Sequence, residues 1–152
     1  MQYIHKKNHD PRWLDTQRTK ADEIVQRVLD IIDYYKPVYW IMENPQSAAL
    51  KTRSVVSNLP YIDADYCQYG YPYRKRTRFW TNRKVQLKLC QQDCPNANGS
   101  RHIQIIGQGR LEPKYIPLKG YYRSLTGRYS IPQDLLMELL PKPRQKIRLI
   151  KK

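Results

Sequence analysis

Apolar residues recur at helical spacing early in the chain. Ala21, Ile24, Val25, Val28, Leu29, Ile31, Ile32 and Tyr35 fall on one face, and Lys20, Glu23, Arg27 and Asp30 fall mostly on the other. The pattern predicts a helix over 17–35, capped by Asp15 or Thr16. It should end by Tyr35 or Lys36, because Pro37 disfavours α geometry in the residue before it. The periodicity then changes. Val38-Tyr-Trp-Ile-Met42 is continuously apolar and of strand length, which suits a strand buried on both faces of a parallel sheet. Glu43-Asn44-Pro45 closes that run. The predicted strand therefore presents an acid at its carboxyl end, where open α/β sheets place their ligands.

Further along, 46–60 reads as a short helix with loops, and Tyr61-Ile-Asp-Ala-Asp-Tyr-Cys67 as a second strand. Gly70-Tyr-Pro-Tyr73 is a turn. Arg74-Lys-Arg-Thr-Arg-Phe-Trp-Thr81 alternates and predicts a third strand paired with the second, so that Arg74, Arg76 and Arg78 share one side. Residues 83–123 are irregular. Residues 130–140 predict a short helix with Ser130 as its cap and Pro132 near its first turn. The tail at 142–152 is basic and reads as disordered.

The chain's 152 residues suffice for one compact domain and one core. Its 28 Lys and Arg against 13 Asp and Glu give a formal charge of +15. Setting aside the six basic residues of 142–152 leaves +9 on the rest. An imbalance of that size points to a polyanionic partner, and DNA or RNA fits better than a merely basic tail. Thirteen Tyr against one Phe supply flat faces for base stacking, although Tyr also serves ordinary cores. The three Cys are an odd number, and no export signal precedes them, which argues against a disulfide scaffold. No run approaches the roughly 20 apolar residues that span a bilayer. The expected compartment is reducing and cytoplasmic.

Three constellations carry candidate chemistry. A Glu at the end of a buried strand can have a raised pKa and hydrogen-bond a neutral heterocycle; equally, it can cap a helix or pair with an Arg. The Arg series can grip phosphate or orient a carboxylate such as Glu43, or form a solvated basic edge. Cys90 and Cys94, with His102 beyond them, suit zinc, but a fourth ligand is missing unless folding brings in Cys67, His5 or His9. Free thiols are the competing reading, although a long loop without clear structure needs some organiser.

Glu-Asn-Pro after an apolar strand, then Tyr-Gly-x-Pro and an Arg-x-Arg-x-Arg series on the next hairpin, resembles the second half of a DNA cytosine-C5 methyltransferase catalytic domain. The form is that of phages and large DNA viruses. The likeness covers about residues 15–82, and Arg128-Tyr-Ser-Ile-Pro-Gln-Asp-Leu-Leu resembles more loosely the family's last motif. It implies an α/β fold: part of a Rossmann-like S-adenosylmethionine-dependent methyltransferase sheet, with a basic, irregular C-terminal region. The parts would be a methyltransferase-like domain at 1–82, a target-recognition-like segment at 83–126, a closing helix at 127–141 and the tail.

The resemblance also implies roles. Glu43 would meet the N3 side of a cytosine flipped from the duplex stack and assist its protonation. Asn44 would order that loop. Arg76 and Arg78 would position the base and Glu43, with Arg74 able to replace either, and the family's Gln falls at Tyr73 or Arg74. Tyr73, Arg74, Lys75, Arg101 and Arg110 would contact DNA. The family's Phe-x-Gly-x-Gly loop for S-adenosylmethionine and its Pro-Cys nucleophile are both missing from this sequence. The expectation is a part of a DNA (cytosine-5-)-methyltransferase that works with a separate N-terminal half, or that associates with itself. The alternative is a catalytically inactive, methyltransferase-like DNA-binding module.

Overall fold

A computed structural model describes residues 10–99, 101–104 and 124–141. The sequence's tail, Arg110, His5 and His9 lie outside those residues.

The first helix, α1, runs Pro11–Tyr35. It starts earlier than the apolar stripe suggested, because Asp10 caps it: the Asp10 carboxylate accepts from the Arg12 N–H at 2.9 Å, and Pro11 occupies the first turn, where its missing N–H costs nothing. It stops where expected, with Lys36 in the left-handed region at φ 45°. None of its residues is buried, and Ile24 and Ile31 are exposed. A bidentate ion pair from Arg53 to Asp22, with contacts of 2.9 and 2.6 Å, ties α1 to the loop that follows the first strand.

Three strands form one antiparallel sheet: β1 (Ile41–Pro45), β2 (Tyr61–Asp65) and β3 (Arg76–Thr81), in the order β1-β3-β2. Two short 3₁₀ helices, Ala49–Thr52 and Ser54–Val56, occupy the link where one short helix was expected. The β2–β3 pairing is as the alternation predicted. The parallel, doubly buried β1 is not what the structure shows. Val38 and Tyr39 lie outside the strand and are exposed, and β1 is an edge strand whose residues are half-buried or exposed. Its apolar run is anchored instead by side chains of the neighbouring strand's end. Thr81 donates to the Trp40 carbonyl at 2.6 Å, and Asn82 bonds the Val38 carbonyl and the Trp40 N–H. The described part of the fold is thus α/β in content, with a small antiparallel sheet rather than a Rossmann-like one.

The core lies on one face of this sheet. Ala64, Phe79 and the rings of Tyr66, Tyr69, Tyr71 and Tyr73 pack against Leu135 and Leu139. Tyr66 and Tyr71, and Tyr71 and Tyr73, meet edge to face at 5.4 and 5.6 Å. The polar tips of Tyr69 and Tyr71 are served locally. The Tyr69 hydroxyl donates to Glu138 and accepts from the Lys88 N–H, and the Tyr71 hydroxyl shares a hydrogen with Ser130. These tyrosines are therefore core residues, not stacking platforms.

Between β2 and β3 a 3₁₀ helix, Tyr66–Tyr69, ends at Gly70, whose φ of 84° suits glycine. A two-residue hairpin follows, β4 (Ala97–Asn98) with β5 (Arg101–His102). The closing segment divides into α2 (Leu125–Tyr129) and α3 (Gln133–Leu139). Ser130 ends α2 rather than capping the last helix: its hydroxyl donates back to the Gly127 carbonyl at 2.7 Å. Ile131, preceding Pro132, is biased away from helical geometry.

The contrast between a buried α3 and an exposed α1 gives a test. Leu135→Ala should lower unfolding stability by about 3 kcal/mol, the usual cost of a cavity in a packed core. Ile24→Ala should change it by less than about 0.5 kcal/mol. Urea unfolding of both variants measures the difference.

Candidate functional site

Register decides what surrounds Glu43. It lies opposite Phe79, in the middle of β1 rather than at its end, and Asn44 lies opposite Arg78. Side chains alternate across a strand, so Glu43 shares the core face with Thr77 and Phe79. Arg76 and Arg78 project to the other face with Asp65 and Asp63, their partners across β2. The expectation that the arginines share one side holds. The expectation that they orient Glu43 does not, because the sheet stands between them.

The arginines are held by acids of their own. Arg78 binds Asp63 through both Nε and Nη2, at 2.8 and 3.0 Å, and its guanidinium lies 3.5 Å from the centre of the Tyr61 ring. Arg76 binds Asp65 the same way, at 3.0 and 2.6 Å. Arg74 adds a third contact to Asp65 at 3.2 Å, and the Cys90 N–H a fourth at 2.9 Å. Burial alone would raise the Asp65 pKa; the Arg76, Cys90 and Arg74 hydrogen bonds outweigh it, so the carboxyl sits below its usual range.

On the other face, Glu43 is exposed at the rim of the core. Partial burial raises its pKa, and the nearby Lys75 ammonium offsets this only in part. Lys75 is the cation that sequence reasoning assigned only to DNA contact. Burial lowers its pKa, with Glu43 acting in the opposite sense. Its Nζ donates to the Arg128 carbonyl at 3.1 Å and lies 4.8 Å from the centre of the Tyr66 ring. The Tyr66 hydroxyl is fully buried and raised in pKa, mainly by burial and in small part by Glu43. Tyr66 Oη and Thr77 Oγ1 are neighbours, yet among the described residues neither finds a hydrogen-bond partner of good geometry. Asn44 Oδ1 is likewise buried and unpartnered. Lys75 and Thr77 share the parity of Phe79, the residue opposite Glu43, and only the β1–β3 register reveals that they share its face.

The other expected residues distribute as follows. Tyr73 is fully buried in the core, and its hydroxyl points to the Gly127 carbonyl; a DNA contact through its ring is excluded by that packing. Arg74 is exposed beside Asp65, and Arg101 is exposed on β5. Cys90, Cys94 and His102 come together, and Cys67 joins them. This sequence carries no Phe-x-Gly-x-Gly loop that would cradle S-adenosylmethionine.

Two measurements follow from these charges. Because Asp65 titrates below its unfolded value, its contribution to stability is complete above that value and is lost as pH falls through the folded pKa. Asp65→Asn should therefore cost about 3 kcal/mol at neutral pH and flatten the decline of stability in acid, as read by urea unfolding across pH. Lys75→Met should move the Glu43 pKa further up, since the ammonium is what holds it down; carboxyl carbon shifts in an NMR titration report this directly.

No protein-family model and no solved structure matches the chain. A curated protein of Frog virus 3 (isolate Goorha), "Probable DNA (cytosine-5)-methyltransferase", is 33% identical over 135 residues. The match takes in 80% of this chain and 58% of the relative, so the chain spans somewhat more than half of that protein's length. No helix of the described residues is long and apolar enough to cross a membrane. The resemblance read from Glu-Asn-Pro and the Tyr-Gly-x-Pro hairpin thus finds its counterpart in a large DNA virus, and the chain belongs to the DNA cytosine-C5 methyltransferase family as a divergent member.

Proposed function

We propose that this chain is the base-facing part of a DNA (cytosine-5-)-methyltransferase, which transfers a methyl group from S-adenosylmethionine to C5 of cytosine in DNA. The observation that carries the reading is Glu43 at the rim of the core face, its pKa raised by burial, with Lys75 beside it and the buried hydroxyls of Tyr66 and Thr77, which have no partner of good geometry among the described residues. A carboxyl whose pKa is raised by burial holds its proton more readily than a free one, and when protonated it can donate to the N3 side of cytosine and support ring protonation while C6 is attacked. The base reaches it by leaving the stack. Lys75 sets the charge of the acid and is also a candidate phosphate contact. Arg76 and Arg78 act as positioning residues: locked onto Asp65 and Asp63, they stiffen the hairpin that carries Lys75. Arg74, Arg101 and Arg110 supply phosphate contacts, in keeping with the +15 charge.

S-adenosylmethionine finds no glycine-rich cradle in this chain, and no Pro-Cys supplies a nucleophile, so the chain's own residues act on the base alone. Both would come from a part of the domain outside this sequence. The edge of β1, unpaired by another strand among the described residues, and the exposed apolar residues Ile24, Ile31, Val38 and Tyr39 give that part a surface to cover. The +15 charge also supports a second reading, a DNA-binding module without chemistry.

Co-expression with a methyltransferase half bearing the glycine loop and the Pro-Cys separates the two. The enzyme reading predicts methylation of cytosine only by the combined halves. Glu43→Gln should then lower turnover by about a hundredfold or more, the scale of a lost general acid, with DNA affinity changed less than about threefold. Full turnover in Glu43→Gln overturns the role of Glu43. Steeply salt-dependent DNA binding with no methylation by any pairing favours the binding module.

A further inference from the structure

Away from the Glu43 face, three cysteines and a histidine close on one another. The Sγ atoms of Cys67, Cys90 and Cys94 and a ring nitrogen of His102 all lie within 4.8 Å of one another. His102 Nε2 is 3.4 Å from Cys90 Sγ. All four residues are buried, and no pair of the cysteines is joined in a disulfide. This cluster is separate from the tyrosine-rich core, and among the described residues the apolar side chain packed against it is Ala97. Three thiols and one small methyl bury too little apolar surface to hold a loop in place.

The local chain is shaped to aim these groups inward. Cys67 comes from the 3₁₀ helix after β2. The turn carrying Cys90 and Cys94 is fixed by Asp93, which accepts from the Gln91 N–H at 3.0 Å and from the Gln68 side chain at 2.6 Å, and by Gln92 in the left-handed region at φ 70°. His102 sits on β5, opposite Ala97. Zinc bound to sulfur at about 2.3 Å in a tetrahedron spaces neighbouring sulfurs by roughly 3.8 Å, which a set this compact can adopt with small rotamer changes. Three soft thiolates and one imidazole select zinc over calcium or magnesium. With all four positions filled by protein, nothing remains open for substrate.

We infer that Cys67, Cys90, Cys94 and His102 form a structural zinc site that fastens the 83–104 segment to the corner after β2. The sequence offered three of these ligands; the fold supplies the fourth in Cys67. The site also touches the arginine cluster, because the Cys90 N–H that donates to Asp65 belongs to one of the ligands. Zinc binding would displace the thiol protons and fix the geometry around Asp65. The inference is independent of the methyltransferase reading.

Elemental analysis of the intact chain, purified without chelator from zinc-supplemented medium, should find about one zinc per chain and no stoichiometric iron. Cys90→Ser/Cys94→Ser should lower the zinc content about tenfold. Should that variant fail to fold, two measurements on the unaltered chain remain. Cobalt added to metal-stripped protein should give the visible absorption of tetrahedral thiolate coordination. A chelator should also convert three unreactive thiols per chain into reactive ones. A folded, metal-free chain whose unfolding temperature does not respond to added zinc, a disulfide between any two of the three cysteines, or stoichiometric iron in place of zinc would overturn the assignment.

Discussion

A carboxylate with no exposure to solvent must be supplied with charge and donors by the protein, and Asp65 is so supplied from three directions. Arg76 grips it through two nitrogens, Arg74 adds a third contact, and the Cys90 N–H reaches it from another segment. Its backbone is tied as well, since the Asp65 N–H donates to the Lys88 carbonyl. One buried group therefore sets the register of the β2–β3 hairpin and seats the 83–104 segment on its edge. Removing any one partner would leave charge stranded in the interior, which makes the cluster rigid as well as stable.

That rigidity divides the labour between the two faces of a small sheet. On one face, arginines and aspartates neutralise each other, with Arg78 sandwiched over Tyr61. On the other, Glu43 and Lys75 stand at the rim of a tyrosine core and perturb each other's titration. Among the described residues the hydroxyls of Tyr66 and Thr77 are buried there without good partners, a cost that a polar ligand at this rim would relieve. In the proposed function that ligand is the flipped base.

Much of this was legible in the sequence because it depends on local pattern. The end of α1, the β2–β3 pairing and the common side of the arginines follow from period and from Pro37. What was not legible depends on contacts distant in sequence. The apolar run at 38–42 looks doubly buried, but Asn82 and Thr81 hold it at a sheet edge instead. Which face Glu43 takes depends on the β1–β3 register, which no single strand encodes, and that register puts the Arg series on the opposite face. Tyr73 looked like a stacking residue because a tyrosine's ring gives no sign of whether it packs inward. Cys67 could not be joined to Cys90 and Cys94 by spacing, since it is brought to them only by the turn after β2.

The central claim is that the Glu43–Lys75 face, and not the arginine face, meets the cytosine. It is tested most directly by following side-chain resonances while the chain is titrated with a duplex that carries one extrahelical cytosine. The Glu43 carboxyl and Lys75 ammonium signals should shift with the cytosine-bearing duplex and much less with a fully paired control. The guanidinium signals of Arg76 and Arg78 should stay in place on their aspartates. Movement of Arg76 and Arg78 with Glu43 unchanged would contradict it.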